Sequence, residues 1–292
     1  MPVSVRVPGS CGELVQGKIN GVNFHITCPV EIFSKVTVSL SDFSNPEKIR
    51  YPLTRRKAAK AVEKTLILLN GGIVPLKLCI NSRIPVGKGM ASSTADIVGT
   101  CLAVANFLGK SITPSQIARI ASEIEPTDGT MYRGIVCFDH RRGILIEEIG
   151  NPPPMKVLVV DSGKKINTAV FNRRKDLDIL CKVNEDLIKE AYLLVKEGIK
   201  KRIPELVGVG ATISSLCNQV IIYKPELYKI ISLSRKMGAF GVNVAHSGGV
   251  MGVLLPSDFY KFNQLEEKIK RECGSYLKFY RTVITEGGPR IE

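Results

Sequence analysis

"IPVGKGMASSTAD", residues 84–96, stands between an alternating run, "LKLCINSR" (76–83), and a long apolar one, "SSTADIVGTCLAVANFLGK" (92–110). The first run reads as a strand and the second as a buried helix. Between them Pro85 begins a turn, and Gly87 and Gly89 open backbone conformations closed to other residues. Ser92 and Ser93 then fall in the first helical turn. Backbone N–H groups there have no intrahelical partner and sit at the positive end of the helix dipole. Strand, glycine loop and helix tip together make a cradle for an anion, long enough for a nucleoside triphosphate. The serine hydroxyls can donate to phosphate or coordinate Mg²⁺. The stretch is neither a Walker A loop, lacking GK[ST] at the required place, nor a GxGxxG fingerprint. A plain glycine turn with serine capping has the same spacing, so spacing alone leaves both readings open.

The remaining composition narrows the classes. The chain has 292 residues, 44% hydrophobic and 23% charged, enough to bury one or two substantial cores. No apolar run reaches the roughly 18 residues of a membrane span. "MPVSVRVPGS" lacks the charged and apolar regions of a secretory signal, so a soluble, cytoplasmic protein is expected. Eight scattered cysteines without a CxxC pair fit reduced, buried thiols. With only His25, His140 and His246, neither a zinc cluster nor a Ser/His/Asp triad is expected, and no GxSxG elbow is present. The net charge of +14 raises nucleic-acid binding as a competing class. Its basic groups, at 55–57, 141–142, 173–175 and 200–202, are not interleaved with aromatics as on a single-strand platform. A basic surface that draws in anionic ligands accounts for them equally well.

Strands and helices mix without a βαβ rhythm, so the fold class is α+β. Strands are expected over the first forty residues. A helix follows over 54–72, capped by Thr54, and another from Pro114, where Thr113 and Gln116 form a capping box. "GNPPP" (150–154) is the best boundary, dividing the chain into residues 1–150 and 151–292. Beyond it, helices are expected over 176–202, 204–219, 225–237 and 257–273, among three strands.

"PVGKGMASSTA" resembles the PxxxGLGSSAA motif of the GHMP kinase superfamily. "VRVPGSCGELVQG" looks like that family's first motif and "NVAHSGGVMGVLL" like its third, in the right order along the chain. Within the superfamily, "PGSCGELVQG", "GKGMASSTAD" and "PTDGTMYRGIVCFDH" are most similar to the branch that phosphorylates L-threonine in coenzyme B12 synthesis. The resemblance implies a two-lobed fold, with an N-terminal lobe of a type shared with a ribosomal protein domain and a ferredoxin-like C-terminal lobe. It also implies a cytoplasmic small-molecule kinase using ATP and Mg²⁺. Homoserine is the nearest other acceptor. Met90 and Ala91 depart from the motif's Leu and Gly, and His246 stands in the third loop where a small or hydroxyl residue is usual.

On the resemblance, Pro85, Gly87, Lys88, Gly89, Met90, Ala91, Ser92 and Ser93 cradle the nucleotide, with Ser247, Gly248 and Gly249 of the third loop beside the phosphates. Ser92, Ser93 and a glutamate ending the next helix serve the metal. Glu125 is the choice, because Glu123 points to another helix face. Asp128 is the candidate to accept the hydroxyl proton, although Asp-Gly also suits a simple turn. Ser10 and Glu13 are candidate acceptor contacts, Glu13 for an ammonium, and Arg133 for a carboxylate through a bidentate fork. Lys164 or Lys165 is a further candidate to approach the cleft.

Overall fold

The chain begins with one long antiparallel hairpin, β1 (Val3–Ile19) and β2 (Val22–Leu40), in a computed structural model that describes residues 1–41, 55–72, 74–164 and 174–292. The middle of β1, residues 7–16, is buried throughout, which suits a central strand covered on both faces. Its register with β2 breaks at Pro8/Gly9, Ser10/Glu13 and Glu13/Val15. Such bulges re-aim side chains, and here all three lie in the "PGSCGELVQG" stretch.

Helix α1 (Arg56–Leu68), β3 (Leu76–Ser82), α2 (Ser92–Phe107), α3 (Pro114–Ile124), β4 (Ile135–Asp139) and β5 (Ile144–Gly150) complete the first half. Thr54, the expected cap of α1, lies outside the described residues. The capping box of α3 is present: Gln116 N donates to Thr113 Oγ1 at 3.2 Å, and Thr113 N donates to Gln116 Oε1 at 2.8 Å. Helix α2 packs on β1 and β2 and is covered by α1 and α3, so nearly all of it is buried. Gly99 lets it approach the sheet, since a Cβ there would lie 2.7 Å from Val36.

The second half contains β6 (Met155–Asp161), α4 (Leu177–Val183), α5 (Glu185–Lys200), α6 (Pro204–Cys217), α7 (Leu227–Arg235), β7 (Gly241–Val244), β8 (Val250–Pro256), α8 (Phe262–Cys273), β9 (Lys278–Val283) and β10 (Arg290–Ile291). The expected single helix over 176–202 is two, broken at Asn184. Strand order β9-β6-β8-β7, with helices between β6 and β7 and between β8 and β9, is the ferredoxin-like arrangement. Strand β7 pairs with β1, so one sheet runs β5-β4-β2-β1-β7-β8-β6-β9 through both halves, with β3 on β2 and β10 on β1. "GNPPP" links β5 to β6. The larger core is shared: Val7, Ile97 and Phe138 belong to the same cluster as Val157, Val195 and Leu254. All eight cysteines are free, five of them buried. Among the described residues no helix is long and apolar enough to cross a membrane.

Candidate active site

Three separated stretches meet at one place because glycines remove the side chains that would hold them apart. Ser10 N, in the first stretch, donates to Met90 O of the second at 3.0 Å, and a Cβ on Gly9 would lie 2.9 Å from that same oxygen. Gly12 leaves no room for a Cβ beside the backbone of Val244 and Ala245, at the start of the third stretch. Asn243 Nδ2 donates to Cys11 O, and Gln16 Nε2 to Val244 O at 3.1 Å. Gly248 completes the ring: a Cβ there would sit 2.2 Å from Lys88 O and 2.6 Å from Gly89 Cα. The third loop therefore lies flush against the second.

These stretches border a cleft of about 780 Å³. Gly87, Gly89, Met90, Ala91, Ser92 and Ser93 line it, with Ser247 opposite. Gly87 and Gly89 have φ of 73° and 80°, and Ala91, the N-cap of α2, has φ 57°. An alanine thus occupies a left-handed position where the resembled motif has glycine, and the loop keeps the turn the motif needs. The first intrahelical bond is Ala95 N to Ala91 O at 2.9 Å, which leaves the preceding amides of the helix tip for a ligand. The Ser92 hydroxyl is buried without a partner, and so is Glu125 Oε1. Hard oxygen donors left unsatisfied at a helix N-terminus fit a Mg²⁺-bound phosphate. Glu125 lines the cleft and pairs with Lys57 at 2.5 Å, whereas Glu123 is outside it and pairs with Lys64. Arg55, Arg56 and Lys57 also border the cleft, which makes one of the basic groups part of the site. Arg55 is held by buried Asp96 at 2.7 Å, and Asp96 in turn accepts from Ser34 Oγ at 2.6 Å.

The acidic side of the cleft is built on β1, β2 and the loop after α3. Thr127 N donates to His140 O at 3.0 Å and Thr127 Oγ1 to Thr94 Oγ1 at 3.1 Å, which pins the loop to β4 and α2. Asp128 is thereby presented to the cleft rather than spent on a turn. Burial pushes its carboxyl up to about 6. Glu13 is buried more deeply, and burial together with the Asp128 charge holds its carboxyl well above the usual range. His25 Nδ1 lies between the two, 3.8 Å from Glu13 Oε1 and 3.7 Å from Asp128 Oδ1. His140 and His246 border the same cleft, so all three histidines of the chain converge. Burial, first of all, holds each of them far below its ordinary value, His25 at about 3, so the imidazoles are neutral.

Other sequence expectations fall elsewhere. Pro85, Gly248 and Gly249 shape the loops without lining the cleft. Lys88 turns away from it and donates to Asp161 Oδ1 at 3.1 Å and Gly163 O at 2.9 Å, because buried Asp161 competes for its ammonium. Ser10 is fully buried behind the second loop with an unpartnered hydroxyl. Arg133 is exposed beside Gly288, off the cleft. The guanidinium near the histidines is Arg141, whose charge depresses all three. Lys164 is exposed, with its carbonyl packed against Gly249; Lys165 lies outside the described residues. Sequence reasoning passed over His25 and His140, which carry no motif spacing and meet only because β2 pairs with β4 (His25 opposite Phe138).

Comparisons with known proteins agree with this geometry. The family model described as GHMP kinases N terminal domain matches residues 54–136, and GHMP kinases C terminal matches residues 195–274. An L-threonine kinase of Salmonella typhimurium is 31% identical over 289 residues, covering 98% of this chain and 95% of its own. One from Citrobacter freundii is 31% identical over 269 residues, covering 90% and 92%. The crystal structure of a homoserine kinase from Cytophaga hutchinsonii superposes with a TM-score of 0.73 at 16% identity, over 100% of this chain and 97% of that one.

Proposed function

This chain belongs to the GHMP kinases, and from that premise we propose that it transfers the γ-phosphoryl group of ATP to the side-chain hydroxyl of L-threonine, giving O-phospho-L-threonine and ADP. The observation that carries the reading is the meeting of three distant stretches around one cleft, with the helix tip of α2 on one side and Asp128 on the other. Likeness to threonine kinases over nearly the whole chain favours threonine over homoserine, whose kinases match over a smaller share.

Phosphoryl transfer asks for positioning and charge neutralisation more than covalent chemistry. Amides of Ser92, Ser93 and Thr94 face the phosphates, with the Ser247 loop closing over them. Arg55, Arg56 and Lys57 supply the positive charge. Ser92, Ser93 and Glu125 would hold Mg²⁺, which would neutralise phosphate charge. Asp128 accepts the proton of the acceptor hydroxyl as it attacks; with its carboxyl raised it is a better base than an ordinary aspartate and is still ionised at neutral pH. Glu13 faces the acceptor's ammonium, with Ser10 behind it. Residues 1–150 then supply the phosphate cradle and Asp128, and residues 151–292 supply the closing loop. By likeness to its relatives the product serves the aminopropanol linker of coenzyme B12, in the cytoplasm. The test is ADP release from Mg-ATP with threonine, serine, homoserine and mevalonate. Turnover is expected to be fastest with threonine; equal inactivity with all four refutes the proposal.

A further inference from the structure

The floor of the cleft holds more unsatisfied polar atoms than phosphoryl transfer uses. Both ring nitrogens of His25 and of His140 are buried without partners, as is Glu13 Oε2. Leaving such atoms unpaired costs about 1–3 kcal/mol each, so a ligand with matching donors and acceptors belongs there. The His25 and His140 rings are stacked, 3.7 Å apart and 7° from parallel, with His246 at 4.4 and 5.1 Å. Stacking argues against a shared metal. Imidazole lone pairs lie in the ring plane, and two parallel planes 3.7 Å apart do not meet at one point about 2.1 Å from both nitrogens.

An α-ammonium fits better. His25 Nδ1, Glu13 and Asp128 place their ligand atoms within 4.8 Å of one another. With sides of 3.7 and 3.8 Å from His25, the circle through the three atoms has a radius of at most about 2.4 Å, so one nitrogen slightly above its centre reaches all three at about 2.8 Å. An ammonium has three donors for those three acceptors. Arg141 does not border the cleft; it lines a separate recess of about 10 Å³ behind His140 and His246, too small for a carboxylate.

We propose that Glu13, Asp128 and His25 receive the α-ammonium of the acceptor, so that the site selects an alcohol that carries an amino group. This rests on the reading of the chain as a kinase of amino-acid hydroxyls. In L-threonine the ammonium and the hydroxyl sit on adjacent carbons, which places both beside Asp128.

The test is calorimetric binding to the full chain, in EDTA, of L-threonine, of 1-amino-2-propanol (no carboxylate) and of 3-hydroxybutyrate (no ammonium). Threonine and 1-amino-2-propanol are each expected to bind at least 10-fold more tightly than 3-hydroxybutyrate. His25→Phe keeps a stacked ring and removes the nitrogen of the trio; it is expected to weaken threonine binding about 10-fold, with thermal stability not lowered and a KM for ATP within twofold. The assignment is overturned if His25→Phe binds threonine normally, if 3-hydroxybutyrate binds as tightly as threonine, or if threonine binds only with a divalent metal. Should homoserine alone be turned over, the threonine reading fails and the same variant tests the receptor with homoserine. Turnover of mevalonate alone overturns both.

Discussion

Replacing Gly248 with alanine tests whether the second and third loops act as one phosphate clamp. The new methyl carbon would lie 2.2 Å from Lys88 O and 2.6 Å from Lys88 C and Gly89 Cα. All three are backbone atoms, so no side chain can swing aside. Carbon contacts are comfortable near 3.5 Å, so the loops must part by roughly 1 Å. Overpacking of this kind costs about 1–3 kcal/mol, a fall in Tm of up to about 5 °C for a chain of this length. The kinetic effect is larger, because a displacement of about 1 Å in a positioned reactant costs about 10²-fold. Gly248→Ala is therefore expected to fold, to keep its far-ultraviolet circular dichroism, and to lose about 10²-fold in kcat by coupled ADP release. A kcat within threefold of the parent protein, with the Tm lowered, would mean that the third loop does not position the second, and the clamp would be refuted.

Four further outcomes follow from the same geometry. Glu125→Gln is expected to lower kcat about 10²-fold and to raise the Mg²⁺ concentration needed for half-maximal rate, read by titrating Mg²⁺ at fixed ATP. Asp128→Asn is expected to lower kcat about 10²–10⁴-fold. In the parent protein kcat/KM should fall as pH drops through about 6, where the carboxylate gains its proton. A carboxyl raised on folding stabilises most below its unfolded pKa and loses that contribution as pH rises past its folded one, so Asp128→Asn should raise Tm at pH 7.5 and not at pH 4. Lys88→Met strips buried Asp161 of its cation and is expected to cost about 3 kcal/mol in urea unfolding; adding Asp161→Asn should recover most of it. Arg133→Ala should leave the KM for threonine within twofold, because its side chain lies off the cleft.

Much of the architecture was legible along the chain. The turn at 84–96, the capping box at Thr113 and the ferredoxin-like C-terminal half each follow from a local pattern or from a motif. What local pattern could not reveal was pairing over long distances. Residues 55–57 share with three other basic groups the reading of a surface that draws in anionic ligands; that they border the cleft is set by α1 covering α2. Lys88 sits within a phosphate motif, yet Asp161, 73 residues on, takes its ammonium. His25 and His140 carried no expected role, and Arg133, beside the Asp128 turn in sequence, points away while Arg141 comes near the histidines. Each difference arises where a tertiary neighbour outweighs the local context.

Strand β1 is the first element in the chain, yet it lies at the centre of the sheet. Its partner Val244 stands 228 residues from Gln16, and the last residue, Glu292, pairs with Arg6 at 2.6 Å. A growing polypeptide therefore carries the innermost ribbon of its sheet with one edge open until nearly all of the rest has been made. Loop closure over such a span is slow, and an apolar strand with an open edge invites intermolecular pairing meanwhile. Formation of this sheet thus depends on keeping the free edge of β1 from other partners until β7 is there to cover it.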